Sequence, residues 1–171
     1  MSKAFTRESD EAGAEEIPFV RPQLPPGARN YITQDGADRL KQRLEELLEE
    51  KRACADTSAE ARTAPEADRQ RIESAIRKLQ EILDSVVVAN LPADREKVAF
   101  GATVMVRHEN GEEESYQIVG VEEASPERGQ ISWISPLARA LLSRKAGEKV
   151  HLQSPAGDEK LTILMVRYLG P

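Results

Sequence analysis

Four carboxylates stand near one another in the middle of this 171-residue chain: Asp56, Glu60, Glu66 and Asp68. Carboxylate oxygens are hard ligands suited to a divalent cation such as magnesium, so two of them aimed at one point could hold such an ion. Asp56 and Glu60 would share a face if helix continues between them. Arg62 sits in the same stretch, however, and a chain in which 32% of residues are charged scatters acids over every exposed surface. A solvated or helix-capping role therefore stands beside the metal-binding one.

A basic group follows directly: Arg69, Arg71, Arg77 and Lys78. Such residues can contact nucleic-acid phosphates, with a strength that falls as salt rises. They can equally form the mixed-charge flank of a coiled coil, paired with Glu45, Glu46, Glu49 and Glu50. His108 and His151 stand alone in strand-like segments, with no second ligand at metal spacing and no Ser or Cys nucleophile in a recognisable setting, so both read as structural or exposed. The single cysteine, Cys54, precludes an internal disulfide and the usual zinc ligand sets. Its place on an apolar stripe suits a small hydrophobe better than a redox centre.

Composition narrows the classes. A net charge of −6 argues against a general nucleic-acid binder, and 39% hydrophobic with only 4% aromatic residues points to exposed helix and modest cores. The first residues lack the apolar run of a signal peptide, and no stretch approaches the roughly 18 apolar residues of a membrane span. The expectation is a cytoplasmic protein with no membrane partner, no small-molecule substrate and no metal or cofactor of its own.

Three regions position these residues. Residues 1–30, acidic and carrying Pro18, Pro22, Pro25 and Pro26, show no periodicity and read as a disordered or extended tail. Residues 31–90 hold two heptad stripes. Thr33 can cap a helix whose stripe runs through Ala37, Leu40, Leu44, Leu47, Lys51 and Cys54; a second stripe runs through Ile72, Ile76, Leu79, Leu83 and Val86 after the capping signal Thr63-Ala64-Pro65-Glu66. Neither helix can bury its stripe alone, so the two should pack as an antiparallel hairpin, looser at its tip where Lys51 and Arg69 replace apolar residues. Residues 91–171 switch to a period of two. Val104 and Val106, the Asn110-Gly111 turn, Tyr116 and Ile118, Ile131 to Ile134, Val150 to Gln153 and Leu161 to Tyr168 mark strands, and Ser135 caps a short helix from Pro136 to Leu142. The fold class is α+β: a helical hairpin followed by an antiparallel sheet with one short helix.

Ile131-Ser132-Trp133-Ile134-Ser135-Pro136-Leu137-Ala138-Arg139-Ala140-Leu141-Leu142, placed after a helical hairpin, resembles the GreA/GreB family of transcript cleavage factors, nearer to GreB. Tyr31-Ile32-Thr33-Gln34-Asp35-Gly36, Phe100-Gly101-Ala102-Thr103-Val104, Tyr116-Gln117-Ile118-Val119-Gly120 and Ser154-Pro155-Ala156-Gly157 extend the resemblance over residues 31–171. It implies an FKBP-like C-terminal domain without isomerase activity, docked at the rim of the secondary channel of bacterial RNA polymerase, with the hairpin inserted. It places the polymerase contact at Ser135, Pro136 and the loop Ser125 to Gln130, including Arg128, while Trp133 is open between core and interface. It also implies that Arg69, Arg71, Arg77 and Lys78 lie where family members touch nascent RNA.

In that family the tip carries Asp-x-x-Glu-Asn-x-x-Tyr, whose carboxylates help hold a second magnesium ion in the polymerase active centre. No Asp-x-x-Glu-Asn occurs here between Glu50 and Asp68. The hairpin also aligns about ten residues short, some five per arm, which at about 1.5 Å per residue withdraws the tip by about 7 Å. A ligand must sit within about 2.0–2.6 Å of its ion, so such a deficit would remove it from the metal. The reading is a polymerase-binding elongation regulator, not itself an enzyme, with little or no stimulation of transcript cleavage. Two alternatives remain: a cleavage-stimulating factor whose acidic tip is rebuilt from Asp56, Glu60 or Glu66 around magnesium shared with polymerase, and a coiled-coil module that pairs with another protein.

Overall fold

The structure, a computed structural model, describes residues 23–56, 66–154 and 157–168. Most of the expected tail, residues 1–22, lies outside the described residues. The described elements begin with a short strand β1 (Asn30–Ile32), the helices α1 (Gln34–Asp56) and α2 (Glu66–Ser85), and a strand β2 (Val86–Val88).

Thr33 starts α1 as expected: its Oγ1 accepts the Gly36 N–H at 3.0 Å, satisfying one of the donors that a helix start leaves unpaired. Leu47, Ile72, Ile76 and Leu79 form the buried seam between the arms, with Leu40, Leu44, Cys54 and Leu83 packed around it. Lys51 interrupts the stripe yet finds a partner across the hairpin, its Nζ 3.0 Å from Glu73 Oε1. Val86 belongs to β2 rather than to the helical stripe. The Ser85 hydroxyl donates to the Ile82 carbonyl at 2.8 Å, and the β-branched run Val86-Val87-Val88 then leaves in extended form. β2 pairs in parallel with β1, so the two ends of the hairpin are tied by a small ribbon.

The remaining chain forms β3 (Ala102–Arg107), β4 (Glu113–Val119), β5 (Gln130–Ser132), α3 (Pro136–Leu141), β6 (Lys149–Ser154) and β7 (Gly157–Tyr168). The sheet order is β5-β4-β3-β7-β6. Residues 102, 104 and 106 of β3 are buried while 103 and 105 are only half-buried, the alternation expected of a strand with one face on a core. That core comprises Val104, Val106, Ile118, Val150, Leu161 and Ile163, closed by Ala138 and Leu141 of α3.

The sheet is mixed, whereas the sequence pointed to antiparallel pairing throughout: β4 and β5 run parallel, with Ile118 opposite Ile131. Residues 120–129 contain no hairpin turn; two 3₁₀ turns, Val121–Glu123 and Pro126–Arg128, carry the chain back before it runs beside β4 again. β5 also stops at Ser132 rather than Ile134, because the Ser135 N–H donates to the Ser132 carbonyl at 2.9 Å and folds Trp133 and Ile134 into a turn.

Candidate functional site

Ser135 and Pro136 together start the short helix α3. The Ser135 Oγ accepts the Ala138 N–H at 3.2 Å, capping α3, and Pro136 occupies the first helical position, where a missing N–H costs nothing. Pro136 is exposed, and so is Arg128 at the end of its 3₁₀ turn. Both are therefore available to a partner, whereas Ser135 is half-buried.

Trp133 is half-buried and packs against the sheet core. Its ring meets Tyr31 edge-on at 6.0 Å, and Tyr31 in turn meets Phe100 at 6.1 Å, so the three rings join the hairpin's first strand to the sheet domain. The indole Nε1 is buried and has no hydrogen-bond partner among the described residues.

Beside these rings lies a group that sequence reasoning missed. Glu123, with a side chain only 2% accessible, sits in the 3₁₀ turn after β4 and reaches the start of α1. Its Oε2 accepts the Thr33 N–H at 2.9 Å and the Gly120 N–H at 3.0 Å. Its Oε1 accepts the Thr33 hydroxyl and lies 3.6 Å from the Arg39 guanidinium. The backbone makes room: a Cβ on Gly36 would lie 2.1 Å from Glu123 Oε1, and one on Gly120 would lie 2.2 Å from the Tyr31 carbonyl. The spacing Gly120-x-x-Glu123 is that of a capping box, in which the third residue's carboxylate reaches back to the first backbone N–H, and it is the one local signal that could have drawn attention to Glu123.

At the far end of the hairpin, α1 closes at Asp56 and α2 opens at Glu66. The Asp56 side chain, Glu60 and the capping signal Thr63-Ala64-Pro65 lie outside the described residues. Glu66 is exposed and accepts from Gln70 Nε2 at 3.5 Å; Asp68 pairs with Arg71 at 3.6 Å. Both acids thus turn to neighbours on their own helix. Among the described residues, no three His, Cys, Asp or Glu side chains are placed to hold a metal ion.

Arg69, Arg71, Arg77 and Lys78 are all exposed on α2. Glu73 lies among them, its carboxyl held below the usual range chiefly by the Lys51 hydrogen bond and charge, with smaller contributions from Arg69 and Arg77. Of the acids expected to pair with them, Glu46 pairs with Arg43 of its own helix at 2.9 Å, while across the hairpin Lys51 of α1 reaches Glu73 of α2.

His108, expected to be isolated, is flanked by two acids. Its Nδ1 hydrogen-bonds Glu159 Oε1, and its Nε2 lies 3.4 Å from Glu114 Oε2 without hydrogen-bond alignment. The Glu159 hydrogen bond raises its pKa above the ordinary histidine value, against the opposing effect of burial. The Tyr116 hydroxyl donates to Glu114, and burial together with that acid raises its pKa. His151 is exposed. No described helix is long and apolar enough to cross a membrane.

Comparison with known proteins adds an independent line. The family described as "Transcription elongation factor, GreA/GreB, C-term" matches residues 92–168. The chain is 35% identical over 155 residues to transcription elongation factor GreB of Neisseria meningitidis serogroup B, covering 82% of this chain and 95% of that one. It is 34% identical over 150 residues to transcription elongation factor GreA of Syntrophobacter fumaroxidans, covering 80% and 96%. Among solved structures, GreA factor homolog 1 (Gfh1) of Thermus thermophilus matches with 25% identity and a TM-score of 0.39, covering 82% of this chain and 99% of that chain.

Proposed function

This chain belongs to the GreA/GreB family of transcription elongation factors, and we propose that it docks at the secondary channel of bacterial RNA polymerase with little or no stimulation of transcript cleavage. The observation that carries docking is the extent of the likeness, which takes in 95% of a GreB chain and so spans hairpin and sheet domain together. In this reading the sheet domain, FKBP-like in the family's terms, binds through Pro136, Arg128 and the neighbouring loop, and the hairpin is presented to the channel. The protein works in the cytoplasm, where polymerase is.

The cleavage-poor half of the proposal is supported by the residues between Glu50 and Asp68, which lack the paired-acid pattern. Glu66 and Asp68 support it further by turning to Gln70 and Arg71. The protein carries no cofactor of its own and is not an enzyme by itself, since any cutting is done by polymerase. Arg69, Arg71, Arg77 and Lys78, all exposed on α2, would meet nascent RNA phosphates with the hairpin inserted.

The test is transcript cleavage in stalled, backtracked complexes. Binding to polymerase without acceleration of cleavage is the expected result. Strong acceleration that disappears when Asp56 and Glu60 are replaced would instead establish the cleavage-stimulating alternative, with magnesium shared at a rebuilt tip.

A further inference from the structure

The hairpin is useful to a docked factor only if it leaves the sheet domain in a fixed direction. At 23 residues and about 1.5 Å per residue, α1 is about 34 Å long, so a change of about 10° at its base swings the far end by about 6 Å. Three features meet at that base. The Tyr31, Phe100 and Trp133 rings supply adhesion with a modest preference for edge-on contact. The β1–β2 ribbon ties the two arms to each other, and both its strands belong to the hairpin. On one side the base borders an open cleft of about 850 Å³, lined by Thr33, Asp38, Val88, Leu91, Phe100 and Gln117.

Directional bonds across this joint are made by Glu123. A carboxylate from the sheet domain receives the Thr33 N–H and O–H at the first turn of α1, and is itself anchored by the Gly120 N–H at 3.0 Å. Thr33 Oγ1 meanwhile accepts the Gly36 N–H, so the same hydroxyl that caps the helix also hands the helix to the domain. Buried polar groups of this kind are costly to leave unpaired, which favours one arrangement of the two parts over others. We propose that Glu123 is the positioning residue that sets the bearing of the hairpin relative to the sheet domain. Its consequence for polymerase rests on the docking reading above; the joint itself does not.

The test uses the full chain in a Cys54→Ser background with spin labels at Glu49→Cys on α1 and Lys149→Cys on β6. The parent should show one narrow distance. Glu123→Ala removes the acceptors, and Gly36→Ala drives a methyl into the carboxylate while raising the intrinsic helix propensity of α1; both should lose the single narrow distance while far-ultraviolet circular dichroism stays that of the parent. Glu123→Gln keeps one oxygen for the two N–H groups and a polar group for the Thr33 hydroxyl, and should retain it. Retention of the parental distance by both alanine variants overturns the proposal.

A photo-cross-linker at residue 49 then reports the hairpin in complexes with core polymerase. There the alanine variants should lose cross-linking about tenfold or more while the affinity falls less. If the parent itself fails to bind polymerase, the docking reading falls and the distance measurement alone decides the proposal. If the variants cross-link as the parent does, the positioning role is overturned.

Discussion

His108 shows how a residue with no partner in its own segment acquires chemistry from its neighbours. Glu159 on β7 and Glu114 on β4 face it from two strands, with the Tyr116 hydroxyl on Glu114, and its raised pKa means that the folded chain binds the proton more tightly than the unfolded chain. The stability so contributed is fully present below the unfolded value of about 6.5 and is lost as pH rises through the higher folded value. Urea midpoints followed from pH 5 upward should therefore decline for the parent on the alkaline side of about 6.5, and His108→Gln should flatten that part of the profile. A parallel decline in the variant would assign the effect to other groups. Pro136 and Arg128 allow a second test at this scale, because both are exposed and neither closes the core. Replacing either with alanine should leave the urea midpoint unchanged and weaken polymerase binding by about 1 kcal/mol, roughly fivefold. Unchanged affinity in both would move the docking surface elsewhere.

The helical hairpin is held by a seam rather than by its charges. Ile76 lies buried between the arms, so Ile76→Ala should cost about 2–4 kcal/mol and lower the helical signal at mid-transition, read by circular dichroism. Lys51→Ala removes a cross-arm pair whose members are both about half exposed, and water and salt screen such pairs strongly; the unfolding midpoint should not move measurably. The contrast matters because Lys51 occupies a position in the apolar stripe. The sheet shows the complementary behaviour: β3 alternates cleanly, but β5 obtains its parallel place beside β4 only from the two 3₁₀ turns that precede it. Alternation tells which face of a strand is buried and says nothing about which neighbour it pairs with.

For the molecule as a whole, the proposed cleavage-poor action has two separable causes, reach and donor set. On the proposed reading, installing the family's Asp-x-x-Glu-Asn pattern on the present hairpin should not confer cleavage, because an alignment about five residues short per arm leaves the tip about 7 Å from an ion that demands contact within about 2.0–2.6 Å. Lengthening each arm by about five residues together with that pattern should confer it, as measured on backtracked complexes. Cleavage by the unlengthened variant would show that docking, not arm length, sets the tip position. Read from sequence alone, this chain already declares a hairpin and a strand-rich domain, since helical and strand periodicities are local and are written in windows of ten or so residues. Thr33 as a cap, Ser135-Pro136 as a helix start and the family likeness were legible for the same reason. Glu123 was not, because its role depends on Thr33, 90 residues earlier in the chain, and on glycines at 36 and 120 that clear the space between them. Trp133 likewise became part of the joint only when Tyr31 was brought to it. Periodicity determines which faces are apolar, whereas the partner of a buried carboxylate is settled only when distant segments close around it.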